Sequence, residues 1–232
     1  MQETLRIAVQ KSGRLYEGSM KLLKECGIEV SNGNNQLRVI AANFPVEVFF
    51  LRDDDIPEYV QDAVADIGFV GENVVSEKNK EVDSIEKLGF GKCRLSLAVP
   101  KNGSMQSLND LQGKKIATSY PFILSNFLKE KNITAAIHEI SGSVEIAPKI
   151  GLADAICDLV SSGSTLFTNE LKEIETILSS EAVLIKNKNL AAGKKNILES
   201  LLFRIRSVKK AKNNKYVLLN APNDKLEVIC GI

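Results

Sequence analysis

The stretch from 145 to 166 carries the residues whose types and order point most directly to chemistry. It reads EIAPKIGLADAICDLVSSGSTL, an apolar strand with two aspartates that leads into a polar loop and a helix start. Backbone N–H groups, hydroxyl donors and the positive end of a helix dipole together suit a phosphate monoester. An upstream carboxylate can accept hydrogen bonds from a ribose diol. The order therefore predicts a ribose 5-phosphate site formed by Asp154 or Asp158 with the loop residues Ser161, Ser162, Gly163, Ser164 and Thr165.

The same residues also have a simpler structural interpretation. In this interpretation Asp158 and the loop cap a helix and bind no ligand, since helix capping is a common use of Asp, Ser and Thr. Gly163 would permit close backbone approach in either case. The spacing does not rank Asp154 against Asp158 as the ribose ligand.

The elements that must position this segment alternate along the chain. Residues 5–10 read as a strand, 11–14 as a turn, and 15–27 as a helix that ends at a glycine. Residues 46–51 and 66–70 are again strand-like, and a helix between them is predicted from the cap at 53–55 through Val64. Such alternation is typical of an α/β fold.

A break at residues 100–104 precedes a second series of strands and helices. That series contains a strand at 115–118, a helix at 122–131 and a strand at 135–140. A helical pattern then runs from 190 to about 212, followed by a strand at 216–220 that would return to the first lobe. We therefore expect lobe I at residues 1–99 plus about 183–224, lobe II at 100–182, and a short C-terminal remnant at 225–232.

An internal repeat supports two related lobes. Residues 65–71 (ADIGFVG) resemble residues 153–159 (ADAICDL), because each is a short apolar strand entered through Ala-Asp and followed by a polar loop. Two α/β lobes of this kind meet at a cleft, where ligands bind beyond the carboxyl ends of the strands.

Composition and charge exclude several classes of function. The chain has 30 basic and 29 acidic residues, a formal charge of +1, so no bulk field would recruit nucleic acid or an anionic membrane. Its four cysteines form no C-x-x-C pair, which argues against a zinc site and a disulfide framework. No leader pattern or membrane-spanning apolar run is present in the sequence. We expect a cytoplasmic protein without nucleic-acid or membrane partners.

The 145–166 segment resembles the signature of the ATP phosphoribosyltransferases: Glu, five residues, Gly, then Ala, Ile, Asp-Leu and Ser-Gly-x-Thr-Leu. Further segments similar to that family lie at 10–15, 52–57, 68–74, 93–96 and 117–121. Agreement of several segments in order is far more specific than one glycine-rich motif. The signature positions that match are Glu145, Gly151, Ala153, Ile156, Asp158, Leu159, Ser162, Gly163, Thr165 and Leu166.

This resemblance implies a reaction and a fold. Adenine N1 of ATP would attack the anomeric carbon of phosphoribosyl pyrophosphate (PRPP), releasing pyrophosphate and opening histidine biosynthesis. Two lobes of the periplasmic-binding-protein-like type II architecture would enclose the central cleft. Magnesium would be held mainly by PRPP oxygens and water, with Asp154 as one protein ligand. Adenine N1 carries no proton at neutral pH, so positioning and charge should dominate and no general base is assigned.

Charge stabilisation is expected from basic residues in the matched segments, since arginine favours bidentate phosphate contacts. The catalytic candidates are Lys11, Arg14 and Arg52. The ATP-binding candidates are Lys11, Arg14, Arg52, Gly71, Asn73, Cys93, Arg94 and Glu145. The only histidine, His138, lies outside every matched segment and receives no role.

Longer members of the family carry a C-terminal regulatory domain that binds histidine, whereas this sequence stops at Ile232. Its segments at 10–15 and 52–57 look like the long form, so we favour a long-form catalytic core without that domain. Such a core should be active without inhibition by histidine. We expect a homodimer, with a hexamer only when the regulatory domain is present.

Two alternatives remain open. A bilobed module that binds a small effector without catalysis shares the predicted architecture, and fold does not fix function. A phosphoribosyltransferase acting on another base would fit the acidic strand and phosphate loop equally well. Only the wider resemblance selects ATP.

Overall fold

The computed structural model describes residues 3–31 and 36–212, together with the single positions 214, 220, 222 and 225. The strand expected at 216–220 and the expected remnant at 225–232 therefore lie almost wholly outside the described residues. Within the described part the strands are β1 (Leu5–Gln10), β2 (Arg38–Ile40), β3 (Val46–Leu51), β4 (Ile67–Gly71), β5 (Val82–Lys87), β6 (Cys93–Pro100), β7 (Lys115–Thr118), β8 (Ala136–Glu139), β9 (Ala155–Val160), β10 (Leu171–Ser180) and β11 (Ala182–Asn187).

The helices fill the connections between these strands. They are α1 (Arg14–Glu25), α2 (Ile56–Gln61), α3 (Glu72–Lys78), α4 (Pro121–Glu130), α5 (Ser164–Thr168) and α6 (Ala192–Lys212). The expected helix from the 53–55 cap to Val64 is shorter, because a 3-10 turn at Asp53–Asp55 precedes α2 and Ala63 adopts a positive φ of 56°. The predicted α/β class is confirmed.

The first sheet has the strand order β2-β3-β1-β4-β11-β5. Strand β1 is parallel to β3 and β4, whereas β11 is antiparallel to β4 and β5. The apolar residues of the central strands β1 and β4 are buried, and α1 buries Leu22 and Leu23 against them while its polar face stays in water. The long helix α6 covers the same core through Leu201 and Ile205.

The second sheet has the order β10-β6-β9-β7-β8. Strand β7 is parallel to β8 and β9, and β6 is antiparallel to both of its neighbours. Helix α4 packs Leu124 and Leu128 against one face together with Leu97 of β6. A separate cluster around Ile156 and Leu166 forms the core of the other face.

The chain passes between the sheets twice, and the first crossing corrects the expected lobe boundary. Strand β6 was expected in lobe I, with the boundary near residue 100, but it pairs with β9 and β10 of the second sheet. The crossing therefore lies at residues 88–92. The break at 100–104 is a turn within lobe II, closed by the Gly103 N–H on Pro100 O at 3.1 Å. The return crossing lies at Glu181, close to the expected 183.

The internal repeat has the same backbone structure in both lobes. Asp66 N donates to Arg6 O at 2.9 Å, and Arg6 N donates to Asp66 Oδ2 at 2.7 Å. In lobe II, Asp154 N donates to Lys115 O at 2.8 Å, and Lys115 N donates to Asp154 Oδ2 at 2.8 Å. Each aspartate thus closes the amino end of a strand pair. No helix in the described part of the chain is long and apolar enough to cross a membrane.

Candidate active site in the cleft between the lobes

A cavity of about 270 Å³ lies where the two sheets face each other. It collects the carboxyl ends of β1 and β4 from lobe I and the residues that follow β7 and β9 in lobe II, as expected for a twin-lobed α/β fold. Its walls are formed by Gln10, Arg14, Leu15, Asp53, Gly71, Asn73, Val74, Gly91, Lys92, Cys93, Tyr120, Leu159 and Ser161. Five of the predicted site residues are among them: Arg14, Gly71, Asn73, Cys93 and Ser161.

Arg14 joins the first lobe to the predicted phosphate loop. It is the first residue of α1. The preceding N-cap residue, Gly13, has a φ of 87° and provides no side-chain cap. The Arg14 Nη1 atom donates to Ser161 Oγ at 2.9 Å. A guanidinium and the phosphate loop therefore meet at the cavity although they lie far apart in sequence.

Asn73 connects three parts of the cleft. Its backbone N–H donates to Ser180 Oγ at 3.0 Å, and the Ser180 hydroxyl donates to Asn73 Oδ1 at 2.9 Å. The Asn73 amide then donates to Tyr120 Oη at 3.2 Å. Burial, with a further contribution from the Asp158 charge, raises the pKa of Tyr120 far above its ordinary value. Tyr120 is therefore a neutral phenol in the wall of the cavity.

Cys93 lies beside this network at the start of β6. Burial raises the pKa of its thiol, although the Ser180 hydroxyl and the Arg14 charge act in the opposite direction. A neutral thiol is a poor nucleophile, since the thiolate is the reactive form. Cys93 thus forms part of the wall as a predominantly protonated thiol.

The predicted phosphate loop is exposed at the mouth of the cleft. Gly163 has a φ of 80° and precedes α5, and a Cβ built on it would meet nothing within 4 Å. The Ser162 and Ser164 hydroxyls lie 2.9 Å apart. Thr165 and the serines are exposed, so a phosphate could reach their hydroxyl and backbone donors by replacing the contacts between Ser162 and Ser164.

Asp158 lies on β9 beside the wall residue Leu159, and its charge acts on Tyr120 in the same wall. Its Oδ1 accepts a hydrogen bond from Leu159 N at 2.7 Å. Burial is the largest cause of its raised pKa, the Leu159 bond lowers it, and the charge of Glu145 raises it further. Glu145, expected on the ATP side, therefore shares the neighbourhood of Asp158 beside the loop.

Asp154 does not join this group, contrary to the expectation that it binds PRPP and magnesium. Its carboxylate caps the amino end of β9, whereas the loop follows the carboxyl end. Six residues at about 3.3 Å each place about 20 Å between the two ends. Its equivalence to Asp66 makes it a structural residue of the strand pair.

Three predicted cations lie outside the cavity wall. Arg94 is held by Glu173, with Nε 2.8 Å from Oε2, and this ion pair raises the pKa of Arg94. Lys11 and Arg52 have exposed side chains at the ends of β1 and β3. Their neighbour Asp53 lines the cavity instead, and burial raises its pKa, reinforced by the charge of Asp54.

Sequence reasoning missed Asp53, Lys92 and Tyr120 as wall residues. A signal existed for two of them, because Asp53 and Tyr120 lie within the segments at 52–57 and 117–121 that were recognised. Lys92 lies in the first crossing, which no sequence feature marked. His138 lies on β8 outside the cavity wall. Among the described residues there is no group of three or more His, Cys, Asp or Glu side chains that could hold a metal ion.

Comparison with solved structures identifies the fold. The ATP phosphoribosyl transferase (HisG:HisZ) complex from Thermotoga maritima matches with a TM-score of 0.78 and 28% identity, covering 90% of this chain and 100% of that chain. The substrate binding protein of an amino acid ABC transporter matches with a TM-score of 0.59 and 13% identity, covering 90% of this chain and 94% of that chain. The second likeness shows the fold alone. The periplasmic-binding-protein-like type II architecture is thereby confirmed.

Sequence comparison identifies the family. Residues 52–207 match the family described as HisG, ATP phosphoribosyltransferase. A protein of that name from Cytophaga hutchinsonii is 58% identical over 232 residues, which cover all of this chain and 81% of the relative. Another from Bacteroides thetaiotaomicron is 58% identical over 228 residues, covering 98% of this chain and 81% of the relative. The chain therefore belongs to the ATP phosphoribosyltransferase family, pentosyltransferases of histidine biosynthesis.

Proposed function

We propose that the cleft transfers the phosphoribosyl group of PRPP to N1 of the adenine of ATP, giving phosphoribosyl-ATP and pyrophosphate. The observation that carries this proposal is the contact of Arg14 with Ser161, because it brings a cation of lobe I onto the phosphate loop of lobe II at one cavity. Transfer between two phosphorylated substrates requires that groups from both lobes hold the two substrates next to each other in one cavity.

The ribose 5-phosphate of PRPP is assigned to the loop at 161–165. Serine and threonine hydroxyls and backbone N–H groups at the start of α5 would bind its phosphate. Asp158 and Glu145 would accept hydrogen bonds from the ribose hydroxyls. Among the described residues the Asp158 side chain accepts one hydrogen bond, from Leu159 N, so its second oxygen can accept one from a ribose hydroxyl.

ATP is assigned to the part of the cavity lined by Leu15, Asn73 and Val74 of lobe I together with Tyr120 and Leu159 of lobe II. Leu15, Val74 and Leu159 offer apolar surface for a base, and Asn73 and the neutral phenol of Tyr120 offer polar groups at its edge. Gly71 lies at the end of β4, where a Cβ would collide with Asn73 Oδ1, so the missing side chain leaves room for the Asn73 amide in the wall. Arg14 and Lys92 would bind phosphates of ATP or the leaving pyrophosphate.

Bond making requires no base in this arrangement. The N1 lone pair forms the bond to C1′ while the bond from C1′ to the pyrophosphate oxygen breaks, and pyrophosphate leaves with the electron pair. The positive charge that develops on the adenine is relieved by loss of an N6 proton to solvent. Arg14 and Lys92 stabilise the charge that accumulates on pyrophosphate.

Magnesium would neutralise the pyrophosphate oxygens that carry it into the site. The described residues fit this role only as auxiliary ligands, since the carboxylates near the loop are those of Asp158 and Glu145 and the described part of the chain holds no larger cluster. Two nearby carboxylates are consistent with a strongly hydrated ion that is bound mainly through substrate oxygens.

The test is turnover with ATP, PRPP, magnesium and a pyrophosphatase, with the product mass determined by mass spectrometry. The proposal predicts phosphoribosyl-ATP from ATP and no adduct when adenine, guanine or uracil replaces ATP. An adduct with a free base would support a phosphoribosyltransferase of different specificity. Binding of either substrate without any adduct would favour the effector-binding alternative.

A further inference from the structure

A carboxylate of lobe I caps a helix of lobe II. Glu77 lies on α3, and its Oε1 accepts a hydrogen bond from Phe122 N at 2.9 Å while its Oε2 accepts one from Ile123 N at 3.0 Å. Helix α4 begins with Pro121, which has no N–H, and Tyr120 supplies no side-chain cap. Leu124 N already donates to Tyr120 O at 3.1 Å. The free N–H groups of the first turn of α4 are thus both bound by one side chain from the opposite lobe.

This contact has the chemistry of a strong interlobe bond. Two charge-assisted hydrogen bonds share one carboxylate, and a negative charge is stabilised at the amino end of a helix. Glu77 is half-buried, so water screens the contact only in part. An uncapped helix terminus at a cleft would otherwise attract a phosphate. Glu77 instead keeps this terminus occupied by the protein itself.

The distance of Glu77 from the crossings also lets the contact restrain rotation of one lobe relative to the other. The two crossings between the lobes contain Gly89, Gly91 and Glu181, and Glu181 O accepts a hydrogen bond from Glu72 N at 3.0 Å. Helix α3 therefore starts at the crossings. Glu77 lies five residues farther on, about 8 Å along the helix axis. A bond at that distance restrains rotation about the crossings more than the nearby Asn73–Ser180 contact does.

We propose that Glu77 is a positioning residue that holds the lobes at the spacing at which both substrates bind. This inference rests on the proposed function. Without the contact, open arrangements become more populated, and the apparent affinity for each substrate falls by the fraction of closed molecules lost. Saturating substrates would restore the closed form, so KM should rise for ATP and PRPP while kcat changes little.

The experiment compares the full chain with Glu77→Gln, Glu77→Asp and a control, Glu58→Gln. Glutamine keeps one carbonyl acceptor but turns an NH₂ group towards the second N–H, and aspartate is too short to bind both. Glu58 is an exposed lobe I carboxylate whose partner, Lys80, lies in the same lobe at 3.1 Å. Circular dichroism establishes folding, steady-state kinetics give kcat and both KM values, and small-angle scattering without substrates gives the radius of gyration.

We expect both KM values of Glu77→Gln to rise about tenfold, with kcat within about twofold, a larger radius of gyration and an unchanged Glu58→Gln control. KM values unchanged, or a radius equal to that of the parent chain, would overturn the proposal. If Glu77→Gln does not fold, Glu77→Asp is judged by the same criteria. Should the parent chain show no turnover, the proposed function fails, and the scattering comparison alone decides whether Glu77 holds the lobes.

Discussion

Asp154 and Asp158 lie on the same strand segment and have different surroundings. Asp154 is exposed and caps the strand pair through Lys115 N, whereas Asp158 is half-buried near Glu145 and the phosphate loop. Sequence order alone could not separate them, because either carboxylate precedes the loop. The direction of β9 distinguishes them, because Asp154 precedes the amino end of the strand and Asp158 lies nearer the carboxyl end, from which the loop continues.

Neutralising Asp158 should stabilise the protein and impair substrate binding. Because burial raises its pKa above the ordinary 3.8, its contribution to stability is present below that value and is lost as pH rises through the folded pKa. Asp158→Asn should therefore have a higher Tm than the parent chain at pH 7.5, with the difference shrinking towards pH 4. Its KM for PRPP should rise about tenfold or more.

Thermal unfolding between pH 4 and 8 checks the stability, and steady-state kinetics check the KM. Asp154→Asn is the matched control, since its carboxylate is exposed and its amide oxygen can still accept from Lys115 N. A lower Tm for Asp158→Asn at pH 7.5 would contradict the account of a buried, costly charge.

Cation assignments show the limit of residue-level reasoning from sequence. Arg14 was found because it follows the first strand, and the structure brings it to the loop. Arg52 was chosen by the same rule, yet its neighbour Asp53 lines the cavity. Arg94 was chosen from a matched segment and is paired with Glu173 on β10. Side-chain direction and long-range partners decide such cases, and neither is encoded in local spacing.

At the scale of elements, local periodicity predicts where β7, α4 and α6 lie in the sequence. It does not predict the sheet to which a strand belongs. Strand β6 has a clear apolar pattern, and its pairing with β9 and β10 depends on residues far away in the sequence. Strand β10 was not predicted, since it is mostly half-buried and carries charged residues on both faces. The Ala-Asp repeat was visible because both copies keep the same residue types.

The loop before α5 depends on the left-handed conformation of Gly163. Gly163→Ala should cost about 1 kcal/mol through its positive φ, although space for the methyl group exists. We expect a lower Tm and a higher KM for PRPP. Gly163→Asn is the control, because asparagine tolerates this conformation better than alanine does. Its Tm should fall less, and its KM for PRPP should rise less, than those of Gly163→Ala. Equal effects of the two substitutions would exclude backbone strain as the cause.

Helix α6 is fixed to lobe I by a buried ion pair. Lys194 Nζ lies 2.7 Å from Asp66 Oδ2, and Asp66 is 5% exposed. Lys194→Met should lower the free energy of unfolding by about 1–2 kcal/mol, because Asp66 would lose one charge-assisted partner while keeping its ion pair with Arg6 at 3.3 Å. Denaturant unfolding measures this loss. The exposed neighbour substitution Lys195→Met should change stability by less than about 0.5 kcal/mol, and a similar loss in both would contradict the anchoring role.

The whole molecule consists of two related lobes that act on one cavity. Its twin-lobe architecture was predictable from the repeated Ala-Asp strands, and the family from segments spread along the chain. The contacts that close the cleft were not predictable, because Arg14–Ser161 and Glu77–Phe122 join residues of different lobes. Architecture follows from local pattern, whereas the relative placement of the lobes follows from long-range contacts.

Self-association is a further prediction at this scale. We expect a homodimer, so sedimentation equilibrium should give twice the 25.4 kDa of one chain at micromolar concentration. Turnover per chain measured at the same concentrations shows whether association affects activity. A single 25.4 kDa species at every concentration would contradict the prediction.

The most direct test of the central claim is absorbance at the phosphoribosyl-ATP band with ATP, PRPP, magnesium and a pyrophosphatase. The parent chain should form product, and Arg14→Gln and Thr165→Ala should each lose about a hundredfold in kcat/KM. Arg14→Gln removes a donor to the leaving pyrophosphate, and Thr165→Ala removes a donor that positions the ribose 5-phosphate. Asp154→Asn should stay within about threefold of the parent, because it lies at the far end of β9. Absence of product from the parent chain, or a loss in Asp154→Asn as large as in the cleft variants, would contradict the account.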